Sequence, residues 1–297
     1  MLIYIAFFAH VCYNKNMDTF KPHTKPLNYD YLFDPVPTSA ERKAEYYCHM
    51  HNDYEMLFFF DGSADYIIEN QLYHLSKNTL LIIKPMVYHG INIISSQPYE
   101  RSVFYFSKLA LSESHRHIID KVHPVYHIQE HTPLHNIFDN LRACEKIFDQ
   151  EEFEYLKTSS LYNILSNLNH LPPEKQYSPL DQDGALLDRI IKFIHSNPER
   201  VLNTQVLSDL FFVSKSWIDH TFKTILKISP KQYINQKKIL YAQSLILSGV
   251  PILEVSERCN YTNYTTFYRQ YKSFLNHKPI QDQPIFPHSS TKKEKND

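Results

Sequence analysis

Thr204-Gln-Val-Leu-Ser-Asp-Leu-Phe-Phe-Val-Ser-Lys-Ser-Trp-Ile-Asp-His-Thr-Phe-Lys223 reads as a short helix, a tight turn and a second helix. Thr204 stands as the cap of the first, with Val206, Leu207, Leu210 and Phe211 on one face. After a turn at Phe212-Val213, Ser214 caps a second helix running from Lys215 to about Leu226. Trp217, Ile218, Thr221 and Phe222 face inward on it, leaving Lys215, Ser216, Asp219, His220 and Lys223 outward. Such a helical hairpin is common in bundles and by itself says little.

The pattern recurs in Pro251-Ile-Leu-Glu-Val-Ser-Glu-Arg-Cys-Asn-Tyr-Thr-Asn-Tyr-Thr-Thr-Phe-Tyr-Arg-Gln-Tyr-Lys272. Ile252, Val255 and Cys259 point inward, Asn260-Tyr261-Thr262 turns, and Asn263 caps a helix that buries Phe267 and Tyr271. Its outward residues are Thr265, Thr266, Tyr268, Arg269 and Lys272. Small Ser208 and Ser256 hold matching places, where crossing helices need a short side chain. Between the units, Pro230 to Ser248 forms an amphipathic helix closed by Gly249. At 1.5 Å per residue it spans roughly 28 Å. That length sets two recognition helices about one DNA turn apart. A further helix carries Leu186, Leu187, Ile190, Ile191 and Ile194 and stops at Asn197-Pro198.

From Leu186 to Ile280 the chain resembles the AraC/XylS family of bacterial transcription regulators. The match rests on Leu207-Ser208, Val213-Ser214, Phe222-Lys223, Ser229-Pro230, Tyr233-Ile234-Asn235, Ala242, Leu245, Ile252, Val255-Ser256, Tyr261, Phe267, Arg269, Tyr271-Lys272 and Pro279. The resemblance implies double-stranded DNA as partner. Base contacts then fall to Ser216, Asp219, His220, Thr265, Thr266, Tyr268 and Arg269, and phosphate contacts to Lys215, Lys223, Lys238 and Lys272. Lys238 stands where the family usually has arginine. Turn glycines usual in the family are replaced by Phe212, Lys227, Asn260 and Asn276, so a modified first turn is expected. The resemblance also implies an activator, a homodimer, a possible contact with RNA polymerase and a cytoplasmic protein with no membrane association.

Composition agrees with this division. The 297 residues suit two domains, and 43% apolar with 21% charged is ordinary for a globular chain. The net charge of −1 hides an asymmetry. Residues 180–280 hold 13 Lys+Arg against 8 Asp+Glu, a basic segment suited to a polyanion, while the front is acidic. The chain has only 4 glycines (Gly62, Gly90, Gly184 and Gly249), too far apart for a P-loop or a GxGxxG dinucleotide turn. Cys12, Cys48, Cys144 and Cys259 form no CxxC pair and are expected to be reduced thiols. The apolar opening Leu2–Cys12 is too short to span a membrane. Met17 is the expected start, with a signal peptide as the alternative.

The front half reads as strands: Met56–Phe60, Tyr66–Ile68, Leu80–Ile83 and Val103–Phe106, separated by Asp-Gly, Glu-Asn and Lys-Asn turns. Helical stripes follow at Leu134, Ile137, Phe138 and Leu141, and at Leu161, Ile164, Leu165 and Leu168. The two helices could cap the barrel core, or the second stripe could form a dimer seam. His49, His51 and Glu55, with His89 from a second strand, resemble the metal-binding signature of cupin barrels, a fold many AraC-type regulators carry as sensor. These four residues are the candidate effector pocket. The expected occupant is a small molecule, a sugar or its derivative first. Neither cofactor nor metal is expected, and a metal on His49, His51, Glu55 and His89 is the lesser alternative. The rival reading is a metal-dependent cupin isomerase or oxygenase, against which the attached helical half speaks. The expected fold is therefore multidomain α+β: an extension (1–30), a cupin-like β-barrel (31–130) and two following helices (131–171). A linker (172–183), an all-α double helix-turn-helix domain (184–281) and a tail (282–297) complete it.

Overall fold

The computed structural model describes residues 27–34, 48–93, 98–171 and 182–284. The expectations for Leu2–Cys12 and Met17, for linker residues 172–181 and for the tail after residue 284 lie outside them.

Strand β2 (Tyr54–Asp61) organises the front half. Its run Met56-Leu-Phe-Phe-Phe60 is buried on both faces, as a strand covered from two sides must be. Met56, Phe58 and Phe60 point one way, onto helices; Leu57 and Phe59 point the other, between two sheets. The larger antiparallel sheet runs β1-β7-β2-β5-β8, from β1 (Leu27–Asp34), β7 (Tyr99–Phe106), β5 (Thr79–Ile83) and β8 (Val125–His127). The smaller runs β4-β3-β6, from β4 (Gln71–Leu75), β3 (Ala64–Ile68) and β6 (His89–Ile93). All the expected strands are present. β1 begins at Leu27, inside the segment read as an extension, because it pairs along its whole length with β7.

Helices α1 (Glu113–Lys121), α2 (Pro133–Cys144) and α3 (Gln150–Leu168) cover the outer face of the larger sheet. Phe58 stacks on Phe138 with ring centroids 4.2 Å apart. Leu161, Ile164, Leu165 and Leu168 are buried in the same core. Both stripes are thus buried within the chain.

The back half is helical: α4 (Gln182–Ser196), α5 (Thr204–Phe211), α6 (Lys215–Thr221, continuing as a π-turn through Leu226), α7 (Pro230–Leu247), α8 (Ile252–Arg258) and α9 (Tyr264–Leu275). The cap of α5 is Asn203, whose side chain accepts from the Val206 N–H at 2.9 Å; Thr204 is the first helical residue. Asparagine ranks above threonine as a capping residue. α7 starts with a capping box of Ser229 and Gln232. The modified turn expected at the missing glycines does not occur. Phe212, Lys227, Asn260 and Asn276 all adopt the left-handed conformation, with φ of 56°, 59°, 57° and 60°. The backbone keeps the glycine geometry and the side chains bear the strain, of roughly 1–2 kcal/mol for Phe212 and Lys227.

Candidate DNA-recognition surface and sensor site

Both recognition helices enter on the same kind of cap. The Ser214 hydroxyl accepts from the Trp217 N–H at 3.0 Å, and the Asn263 carbonyl oxygen from the Thr266 N–H at 2.8 Å. In each unit a small serine sits under the turn. The Ser208 hydroxyl donates to the Val213 carbonyl at 2.6 Å, and Ser256 is buried at the equivalent crossing. Ile218 and Phe222 anchor α6 in the core, and Phe267 and Tyr271 anchor α9. This leaves Lys215, Ser216, His220 and Lys223 exposed on the first helix, with Asp219 half-buried. On the second, Thr265, Arg269 and Lys272 are exposed, and Thr266 and Tyr268 half-buried. Arg269 and Thr266 line an open groove with Gln232, Asn235 and Gln236 of α7. Lys238 is placed differently from the other lysines: its ammonium lies 5.3 Å over the Tyr261 ring, and burial pushes its pKa down.

In the barrel, the structure brings His49, His51, Glu55 and His89 together, with one ligand atom from each all within 4.8 Å of one another. Glu55 comes from β2 and His89 from β6; His49 reaches the latter through a two-bond β-bridge, at 2.8 and 2.9 Å. That close pairing needs Gly90, since a Cβ there would meet Cys48 Sγ at 2.6 Å and Cys48 Cα at 2.9 Å. His51 Nε2 and His89 Nε2 lie 3.2 and 3.1 Å from the same Glu55 oxygen, and the Tyr66 hydroxyl donates to the other oxygen at 3.2 Å. Burial would raise the Glu55 pKa, yet the two imidazoles outweigh it and hold the carboxyl well below its usual range. Burial followed by the Glu55 charge pushes the Tyr66 and Tyr105 phenols well up.

A seam between the two halves was not read from the sequence. Met50 and Tyr88 of the barrel belong to the same buried cluster as Tyr233 and Ile234 of α7. Glu69, in the β3–β4 turn, accepts from Tyr233 Oη at 2.8 Å, Lys237 Nζ at 3.0 Å and the Tyr88 N–H at 3.2 Å. The Lys237 ammonium also donates to the Met86 carbonyl, and Asn52 Nδ2 donates to the Leu240 carbonyl at 2.7 Å. Glu69 and Met86 are both non-glycine residues at positive φ, 52° and 62°, so the barrel strains its backbone where it meets α7. Burial lowers the Lys237 pKa while Glu69 opposes the shift. One signal was present: Lys237 falls on the apolar stripe Tyr233-Ile234-Leu240, where a charge needs a partner.

The model of an AraC-like ligand binding domain matches residues 39–165, and that of a helix-turn-helix domain matches residues 207–283. A curated relative is the HTH-type transcriptional regulator YfiF of Bacillus subtilis (strain 168), itself uncharacterized. It is 21% identical over 224 residues, covering 72% of this chain and 71% of YfiF. Among solved structures, ToxT of Vibrio cholerae aligns at 15% identity and TM-score 0.37, over 86% of this chain and 97% of ToxT. The AraC-like transcriptional activator CuxR aligns at 12% and TM-score 0.33, over 66% and 69%. The chain belongs to the AraC/XylS family of transcription regulators, with a ligand-binding domain ahead of its helix-turn-helix domain. The enzyme alternative finds no support, the family being typically non-enzymatic. No helix among the described residues is long and apolar enough to cross a membrane.

Proposed function

We propose that this regulator is a cytoplasmic activator that binds DNA as a homodimer and answers to a small molecule held in its barrel. A sugar or sugar derivative is the effector class we favour, and RNA polymerase the partner of the activated complex. The observation that carries the DNA reading is the pair of capped recognition helices held by one rigid helix. The 18 residues of α7 span roughly 27 Å at 1.5 Å each, so α6 and α9 can enter successive major grooves of one duplex face. Base reading then falls to Ser216, Asp219, His220, Thr265, Thr266, Tyr268 and Arg269. Lys215, Lys223 and Lys272 neutralise phosphates; Lys238, spread over Tyr261, reaches the backbone only if it leaves that ring.

The effector reading rests on the His49, His51, Glu55 and His89 cluster and on its tie to α7. The Met86 N–H donates to the His51 carbonyl at 2.7 Å, while the Met86 carbonyl receives Lys237. One residue thus touches both the segment that carries His51 and the helix that spaces the recognition helices. The test is fluorescence anisotropy of the full chain on DNA from upstream of its own and neighbouring genes, with and without a panel of sugars. Salt-sensitive binding that prefers one site over random DNA, and shifts with one sugar, is expected. Equal affinity for all sequences would contradict the regulator reading; a preference unmoved by every sugar would contradict the effector class.

A further inference from the structure

We propose that the open groove between α7 and α9 seats a DNA sugar–phosphate strand, with Gln232 and Gln270 as its uncharged phosphate donors. The inference rests on the double-groove reading and extends it to the helix that spaces the recognition helices. Gln232 belongs to α7 and Gln270 to α9, and both line the groove beside Thr266 and Arg269. Each amide has its oxygen already engaged. Gln232 Oε1 accepts from the Ser229 N–H at 3.2 Å and from the Ser229 hydroxyl at 2.8 Å. Gln270 Oε1 accepts from the Tyr261 hydroxyl at 2.8 Å. A carboxamide accepts at its oxygen and donates at its nitrogen, so both Nε2 groups are turned away from these partners. Neither Nε2 has a hydrogen-bond partner among the described residues.

The occupant follows from what the groove offers and from where it lies. Its lining combines these two amides with the Thr266 hydroxyl and the Arg269 guanidinium, and among the described residues it includes no carboxylate. Such a surface complements an anion rich in acceptor oxygens. With α6 and α9 in successive major grooves on one face of a duplex, the minor groove between them, about 6 Å wide, faces the protein. α7 crosses that interval, so a strand bordering the minor groove runs along the side of α9 that faces α7. Glutamine is an ordinary donor to phosphate oxygens, and such contacts fix register without reading sequence. Lys215, Lys223 and Lys272 act on the backbone through charge. Gln232 and Gln270 hold a phosphate at hydrogen-bond distance without adding charge, and so fix how α9 sits in its groove.

The experiment selects a preferred site from random DNA with the full-length protein. Binding to that duplex and to an unselected one is then followed by fluorescence anisotropy over a range of salt. Gln232→Met and Gln270→Met should each weaken both duplexes about tenfold, as loss of a hydrogen bond to a charged acceptor does. The salt slope should stay as in the parent, because an uncharged donor releases no counterion. Lys272→Ala, by contrast, should lower that slope by about one, and Gln150→Met, on α3, should change nothing. Circular dichroism identifies any variant that fails to fold, and Gln232→Glu or Gln270→Glu then takes its place. Each keeps the oxygen that Ser229 or Tyr261 needs, sets a negative charge against the strand and should weaken binding further. Single neutral methylphosphonates in the DNA locate the contact. Placed at a phosphate bordering the minor groove between the recognition helices, one should weaken the parent and leave the matching Met variant indifferent. Unchanged affinity in the glutamine variants, a loss confined to the selected duplex, or variants that answer every methylphosphonate as the parent does would each overturn the proposal. A parent that selects a site while the variants bind as tightly refutes the groove contact alone; a parent that selects no site refutes the double-groove reading with it.

Discussion

Glu69→Gln removes the charge that balances Lys237 at the seam between barrel and DNA-binding half. Lys237 is 4% exposed, and its remaining acceptor would be the Met86 carbonyl together with the neutral amide. Stripping one partner from a buried ion pair costs about 3–5 kcal/mol, because the other charge stays desolvated. Lys237→Met is the informative counterpart. It keeps the apolar stem against Tyr233, and it leaves Glu69, 15% exposed, with the Tyr233 hydroxyl and the Tyr88 N–H as donors. Its cost should be nearer 1.5–3 kcal/mol, roughly the value of one hydrogen bond to a charged group. The double variant should lie below the sum of the two, since neither orphaned charge remains. Urea unfolding of the full chain measures the three differences, and amide exchange over residues 84–89 and α7 locates them. If Lys237→Met is as damaging as Glu69→Gln, or both lie within 0.5 kcal/mol of the parent, this pair does not hold the seam.

Three further perturbations bear on the DNA-binding half. Arg269→Ala should weaken binding at the specific site by roughly 1–3 kcal/mol and relax preference at one base pair, as loss of a guanine contact does. An equal loss on random DNA would instead mark a phosphate contact, the behaviour expected of Lys223→Ala and Lys272→Ala. His277 donates from Nε2 to Asp282 at 2.6 Å and from Nδ1 to the Leu275 carbonyl at 2.8 Å, and Asp282 raises its pKa against partial burial. A raised folded pKa gives stability that is complete below about pH 6.5 and is lost as pH rises through the folded value. The stability gap between the parent and His277→Gln, followed by urea midpoints, should therefore shrink from pH 6 towards pH 9. Phe212→Gly should stabilise: the side chain is 95% exposed and contributes little burial. Relief of left-handed strain of roughly 1–2 kcal/mol exceeds the roughly 0.5–1 kcal/mol of added chain entropy. An unchanged or lower Tm would contradict that account.

The helical half was legible because its signals are local. Capping residues and 3.6-residue stripes fall within each element, and the repeat of the pattern at Thr204 and Pro251 reinforces both copies. The main error of conformation there came from Phe212 and Lys227, whose bulk argues against a turn that the surrounding packing enforces all the same. In the barrel, the Met56–Phe60 run announced a strand buried on both faces. β1 was missed because its Tyr-Asp alternation looks polar until β7 is set beside it. The convergence of His49, His51, Glu55 and His89 was foreseeable from alternation along strands. The locking of two ring nitrogens by Asp53 and Val87 carbonyls was not, since it depends on backbone direction at turns. The seam at Glu69, Met86 and Lys237 joins residues more than 150 positions apart, and a single lysine on an apolar stripe was its one trace.

Hydroxyl-radical footprinting of the full-length protein on a selected DNA site tests the central claim most directly, because it reports where both recognition helices lie. The account expects each protein chain to protect two short segments about 10–10.5 base pairs apart on one face of the duplex. Arg269→Ala should weaken the segment under α9 while that under α6 persists. A single protected segment per chain, or two segments on opposite faces, would contradict the reading of α7 as the rigid spacer between two DNA-reading units.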